Sequence, residues 1–389
     1  MAVSDGRWTR TRACAKVRGS VRRHMEVDVN PYRGPGLPNG AGLAVGRVHT
    51  DPTDALALLA RCPVHVPTPL LTPTRLAEQL EIERLDLKDE RSRMGLGSFK
   101  ALGAGHVIAR MATDRMDRPG HPASDDDLAT ALTGTVLACA SAGNHGMSVA
   151  AAAAVFGAEA RIYLSATVPE AFAERLRARG ATVVRAGDDY ENSMAVAEQD
   201  AEEQGWVLLS DSSWPGYLDV PAQVMEGYLV MAAEMIDAVD PAATHVLVQA
   251  GVGGMAAAVT ALARARWGEG PTVVVVEPSC APALQASVRA GRPVTAPGLA
   301  TSMGRLDCKE PSLLALDELA RAANHFVTIS DDEVDETVDL LRVHGIATTP
   351  SGAAGVAALH HARHDPEALG LDQRSRVVAV ITEGPEETS

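Results

Sequence analysis

The chain has 389 residues, of which 46% are hydrophobic and only 3% aromatic, and its net charge is −15. That length exceeds one simple core, so two domains are expected. The acidic balance disfavours nucleic-acid binding, which needs a basic face, and no charge-free apolar run reaches the roughly 20 residues that span a bilayer.

Residues 1–24 stand apart, with Arg7, Arg10, Arg12, Lys16, Arg18, Arg22 and Arg23 against one acid, Asp5. No apolar h-region follows, so this is not a secretory signal. A solvated, disordered tail, or sequence upstream of a start at Met25, is the expectation, with a transit peptide as the alternative. Five cysteines (Cys14, Cys62, Cys139, Cys280, Cys308) include no Cys-x-x-Cys pair, so neither a disulfide framework nor a zinc knuckle is indicated. A reducing, cytoplasmic setting is the default.

Lys100 follows a Gly-rich stretch and opens an apolar helical segment, 101–109. Its place at a helix start disfavours the ammonium, which suits an amine that must be neutral to form an imine. Residues 119–127 are polar and rich in breakers, and are expected to form a surface loop, as are 293–301. Between them the pattern alternates. Strands are expected at 135–140, 160–164, 181–185 and 206–209, and helices from about His145, at 169–179 and at 191–203. Further strands are expected at 245–249, 272–277 and 377–381. Short apolar strands alternating with helices predict an α/β fold with two open, mainly parallel sheets flanked by helices, and the site between the two domains at the strands' carboxyl ends.

Four motifs lie at such strand ends or helix starts. Ser141-Ala142-Gly143-Asn144-His145-Gly146 follows a strand and opens a helix, so its backbone N–H groups form a nest for a carboxylate. The Asn144 amide can reach a phenolic oxygen. Gly251-Val252-Gly253-Gly254 also joins a strand to a helix, and its glycines let a phosphate approach the backbone. Thr382, before Glu383-Gly384, offers a hydroxyl to a pyridine nitrogen. Asp211, past another strand end, is either a base or an Asx-turn residue before Pro215. A lysine, an Asn-bearing turn, a second glycine turn and a late hydroxyl together suit pyridoxal 5′-phosphate. His360, His361 and His364 have metal-ligand spacing on a helix, but no further ligand completes a site, and a solvated face is expected.

These residues resemble the tryptophan-synthase-β-like group of pyridoxal-phosphate enzymes, fold type II, and within it the diaminopropionate ammonia-lyases. The likeness is carried by Asn30-Pro31-Tyr32, residues 88–100, Asp211–Tyr217 with Pro221, Met225, Gly227 and Tyr228, Gln249–Gly253, Met303–Pro311 and Thr382-Glu383-Gly384. It runs from about residue 28 to the end. It implies Lys100 as the Schiff-base lysine beside Phe99, Asn144 on the cofactor's phenolic oxygen, and Gly251, Val252, Gly253 and Gly254 on its phosphate. Thr382 would meet the ring nitrogen. Ser141, Ala142, Gly143, Asn144 and His145 would take the substrate carboxylate, and Asp211 would act on the α-proton. It also implies a homodimer, a candidate disulfide between Cys280 and Cys308, and a larger cofactor-binding domain (25–110 with 215–389) around a smaller one (111–214).

The implied activity is elimination of ammonia from 2,3-diaminopropionate, or a close β-substituted amino acid, to pyruvate and ammonia. The lyases usually read Thr-Asp-Gly-Asn-His-Gly where this chain has Ser141–Gly146, so an aspartate associated with the D-isomer is Ala142 here. The Ser-Ala-Gly-Asn-His form resembles serine and threonine dehydratases. A dehydratase, a β-replacement synthase and a pyridoxal-phosphate-binding protein without turnover stay open as alternatives.

Overall fold

The valine-rich runs become the buried centre of a sheet. The computed structural model describes residues 25–38, 48–116 and 123–385; the basic tail and part of the 119–127 segment lie outside these. The strands are β1 (Glu26–Val29), β2 (Leu70–Leu71), β3 (Arg84–Asp89), β4 (Val136–Ala140), β5 (Glu159–Leu164), β6 (Thr182–Arg185), β7 (Val207–Leu208), β8 (His245–Gln249), β9 (Thr272–Pro278), β10 (His325–Ile329) and β11 (Arg376–Ile381). Seven form one sheet, in the order β1-β10-β9-β8-β11-β3-β2, and four form the other, β6-β5-β4-β7. The smaller sheet is parallel throughout. The larger is parallel except at its edges, where β1 and β2 run antiparallel to their neighbours. The expected α/β architecture is therefore present.

Alternate residues of β9 serve opposite faces of the larger sheet. Val273 and Val275 join one core with helices Lys100–Met116, Asp219–Ala238 and Gly254–Trp267; Val274 and Val276 join another with helix Pro350–Ala362. A strand buried on both sides reads as a continuous apolar run, which is why β9 and β11 were visible in the sequence. β1, β2, β3 and β10 were not expected. β3 reads Arg-Leu-Asp-Leu-Lys-Asp, and its buried polar residues hide it.

Two glycines bring the helices Lys100–Met116 and Asp219–Ala238 together. A Cβ at Gly227 would lie 2.5 Å from the Leu102 carbonyl oxygen, and one at Gly103 2.6 Å from the Tyr228 ring. This close approach packs Tyr228 against Phe99, with ring centroids 5.0 Å apart.

Two expectations are corrected. Asp125–Ala129 is a short helix rather than loop, because Ser124 caps it with a reciprocal bond to Asp127. His360 and His361 are buried, not solvated, since their helix lies across the larger sheet. His360 Nδ1 meets the Thr337 hydroxyl at 3.0 Å and His361 Nε2 donates to the Glu333 carbonyl at 2.9 Å. Burial, with His361 beside it, pulls the His360 proton affinity down to about 4. Among the described residues no cluster of three or more His, Cys, Asp or Glu could hold a metal. Among them, too, no helix is long and apolar enough to cross a membrane.

Candidate active site

Every candidate residue lies just beyond a strand's carboxyl end or at a helix start. β4 leads through Ser141–Gly143 into helix Asn144–Val155. β7 leads to Asp211. β8 leads through Gly251–Gly253 into helix Gly254–Trp267. β11 ends one residue before Thr382, and β3 feeds a tight turn, Glu90–Gly95, before Lys100.

Lys100 and Asp211, 111 residues apart, are joined by a direct ion pair between Nζ and Oδ2. Asp211 therefore spends its carboxylate on Lys100 and not on an Asx turn. Lys100 Nζ also lies 5.1 Å from the Phe99 ring centre and 5.6 Å from that of Tyr228. Burial pushes the Lys100 ammonium down, yet the Asp211 carboxylate holds it well above the ordinary lysine value. This reverses the expectation of a disfavoured ammonium: the opposite charge outweighs burial and helix start together. Burial likewise opposes the Asp211 carboxylate, and the Lys100 ammonium pulls it well below the usual range. Burial pushes the Tyr228 hydroxyl up to about 12, so it stays neutral.

The ion pair rests on supports that come together only in the fold. Behind Lys100, Arg93 is fully buried and paired with Glu90 at 2.8 Å and Glu234 at 2.6 Å. Lys88 meets Glu234 at 2.6 Å as well. These four charges pin the turn carrying Lys100 to helix Asp219–Ala238. Their only sequence signal was the density of charge in residues 88–93. In front, Ser213 and Ser312 share a 2.7 Å hydroxyl bond, and Ser312 N–H donates to the Val252 carbonyl at 3.0 Å, tying the Asp211 loop to the Gly251 turn. His145 Nε2 donates to the Leu209 carbonyl at 3.1 Å and holds the Asn144 turn beside β7. Asn144 itself donates to Glu383, which also pairs with Arg305 at 2.9 Å. Cys308 is a free thiol, so the candidate disulfide to Cys280 is not formed here.

A family model described as pyridoxal-phosphate dependent enzyme matches residues 62–383. The chain belongs to this family. It is 30% identical over 356 residues to the diaminopropionate ammonia-lyase of Salmonella typhimurium, covering 85% of this chain and 88% of that one. It is 28% identical over 337 residues to an L-threonine dehydratase of Mycobacterium bovis, covering 84% and 70%. The crystal structure of diaminopropionate ammonia-lyase from Escherichia coli in complex with D-serine superposes with a TM-score of 0.82 at 26% identity, covering 93% of this chain and 94% of that one.

The residues present suit the family's cofactor. Helices Asn144–Val155 and Gly254–Trp267 both begin after a glycine, Gly143 and Gly253, so no side chain caps either start. Their first-turn N–H groups have no acceptor within the helix and are open to an anion. Gly253 has φ 101°, a left-handed value that a side chain would strain, and a Cβ there would meet that of Ala315 at 2.9 Å. An uncapped glycine turn at a helix start is a place where an anionic group such as a phosphate can be held, which suits a phosphorylated cofactor.

Proposed function

We propose that the chain is a carbon–nitrogen lyase that removes ammonia from 2,3-diaminopropionate, or a close β-substituted amino acid, leaving pyruvate and ammonia. The observation that carries this reading is the Lys100–Asp211 ion pair, in a chain 30% identical to an enzyme named for that reaction. The Gly251–Gly254 turn holds the phosphate of pyridoxal 5′-phosphate, Asn144 its phenolic oxygen, and Thr382 its ring nitrogen, while Phe99 packs beside Lys100. Residues 141–145 hold the substrate carboxylate on backbone N–H groups. The larger unit, 25–110 with 215–389, carries the cofactor, and 111–214 closes the site from the other side. A cytoplasmic homodimer belongs to the same proposal.

Bound there, the cofactor supplies an electron sink that makes the substrate's Cα–H bond acidic. Lys100 or Asp211 takes the α-proton. The ammonium then carried by Lys100 is the proton source for the departing β-nitrogen, and Asp211 holds it in place. Thr382 would bond the ring nitrogen without protonating it, so that the bound cofactor would remain a weak sink and loss of the β-group would be favoured. The released unsaturated product takes up one water to give pyruvate and a second ammonia.

A second reading has its own support. Ala142, with Ser141 and the Gly143-Asn144-His145 that follows, matches the dehydratase form, and an L-threonine dehydratase is 28% identical over 337 residues. Incubation of the purified holoenzyme with each amino acid, with product analysis, decides. Pyruvate and two ammonia from diaminopropionate support the lyase. A 2-oxoacid from serine or threonine alone supports the dehydratase, incorporation of an added nucleophile supports a β-replacement synthase, and no turnover leaves a cofactor-binding protein.

A further inference from the structure

Glu383 is 4% exposed and pairs through its backbone with Ser98, two residues before Lys100. Four segments meet at it. The Asn144 Nδ2 and Thr349 Oγ1 groups donate to its two carboxylate oxygens, one each. The Arg305 guanidinium pairs at 2.9 Å with the oxygen that Asn144 uses. Thr348 Oγ1 donates to the Glu383 carbonyl at 2.6 Å. Arg305 is itself anchored, its backbone N–H donating to Ser351 Oγ at 3.1 Å.

A carboxylate only accepts, so Asn144 must turn its NH2 group, not its carbonyl oxygen, toward Glu383. One amide N–H is thereby taken, the amide plane is set, and the second N–H stays available. Without this constraint the amide turns about a broad, nearly two-fold torsion and exposes oxygen as readily as nitrogen. An oxygen facing a phenolic oxygen repels its ionised form, whereas an N–H stabilises it. Arg305 offsets the charge of Glu383, so the carboxylate orients Asn144 without adding net negative charge to the site.

We propose that Glu383 is a positioning residue that locks the Asn144 amide, so that an N–H rather than the carbonyl oxygen meets the phenolic oxygen of the bound cofactor. This rests on Asn144 as a cofactor partner, not on the identity of the substrate. The test is an absorbance titration of the holoenzyme reconstituted with pyridoxal 5′-phosphate, with no amino acid added, so a wrong substrate assignment leaves it untouched. The titration reads the ionisation of the Lys100-bound cofactor in the wild type, Glu383→Ala, Glu383→Gln, Asn144→Ala and the Glu383→Ala/Asn144→Ala double variant.

In Glu383→Ala the ionisation should rise by about one pH unit, roughly a tenfold loss of the ionised form and about 1.4 kcal/mol. Asn144→Ala should match it, and the double variant should be no worse than either single, because both act through one contact. Glu383→Gln, whose amide can turn either its oxygen or its NH2 group to Asn144, should titrate between the wild type and Glu383→Ala. Additive effects, a wild-type titration in Glu383→Ala or Asn144→Ala, a Gln variant as impaired as Ala, or a lowered melting temperature with unchanged titration would each overturn the proposal.

Discussion

Replacing Asp211 by Asn preserves size and removes the carboxylate that pairs with Lys100. Burial and the positive start of its own helix then act on the lysine alone, and both disfavour the ammonium. Losing one partner of a fully buried pair typically costs about 3–5 kcal/mol. Here the two side chains are 21% and 18% exposed, which discounts the coupling to about 2–3 kcal/mol, or roughly two units of Lys100 proton affinity. The other groups facing the pair do not compensate. His145 is kept neutral by burial, and Tyr228 by burial that lifts it to about 12. Two effects of opposite sign follow in Asp211→Asn. Uptake of pyridoxal 5′-phosphate needs the neutral amine, so its pH profile, followed by absorbance, should move about two units toward acid. Turnover of L-2,3-diaminopropionate, followed by pyruvate release, should fall by roughly 10²–10⁴-fold, because a proton carrier is lost. The stability that Asp211 contributes is present above the ordinary carboxylate value of 3.8 and is lost as pH falls below it; the Asn variant should lack this part of the acid transition. An unchanged turnover rate, or an uptake profile moved toward alkaline pH, would refute the account of the pair.

Lys100→Ala should bind pyridoxal 5′-phosphate without a borohydride-trappable linkage; an adduct recovered on another lysine by mass spectrometry would remove Lys100 from its role. With Ala142 where an acid would serve one face, the L-isomer of diaminopropionate should turn over at least about 10²-fold faster than the D-isomer, and comparable rates would end this reading. Gly227→Ala would place a methyl group 2.5 Å from the Leu102 carbonyl oxygen and 2.9 Å from Gly103 Cα. Backbone cannot yield as a side-chain tip does, so a loss of about 2–3 kcal/mol is expected in chemical denaturation, and an unshifted midpoint would contradict the helix approach described.

The chemistry of the site was present in local sequence because its parts are local: a lysine opening an apolar helix, two glycine turns between strand and helix, a threonine at a strand end. Each is decided by backbone geometry within a few residues, and strands buried on both faces announce themselves as valine runs. What local pattern could not supply is pairing across distance. That Asp211 meets Lys100, 111 residues away, depends on two sheets presenting their carboxyl ends to one another. That contact reversed the expected charge preference of Lys100, since a helix start is a weaker influence than a full charge alongside. The same holds for Glu383, which stood in the sequence as a neighbour of Thr382 and became the partner of Asn144, 239 residues away, only through folding. The histidines of helix Pro350–Ala362 passed for a solvated face because spacing along one helix says nothing of the sheet beneath it. Buried charges such as Arg93 and Glu90 are polar letters in sequence, and only their packed partners make burial tolerable.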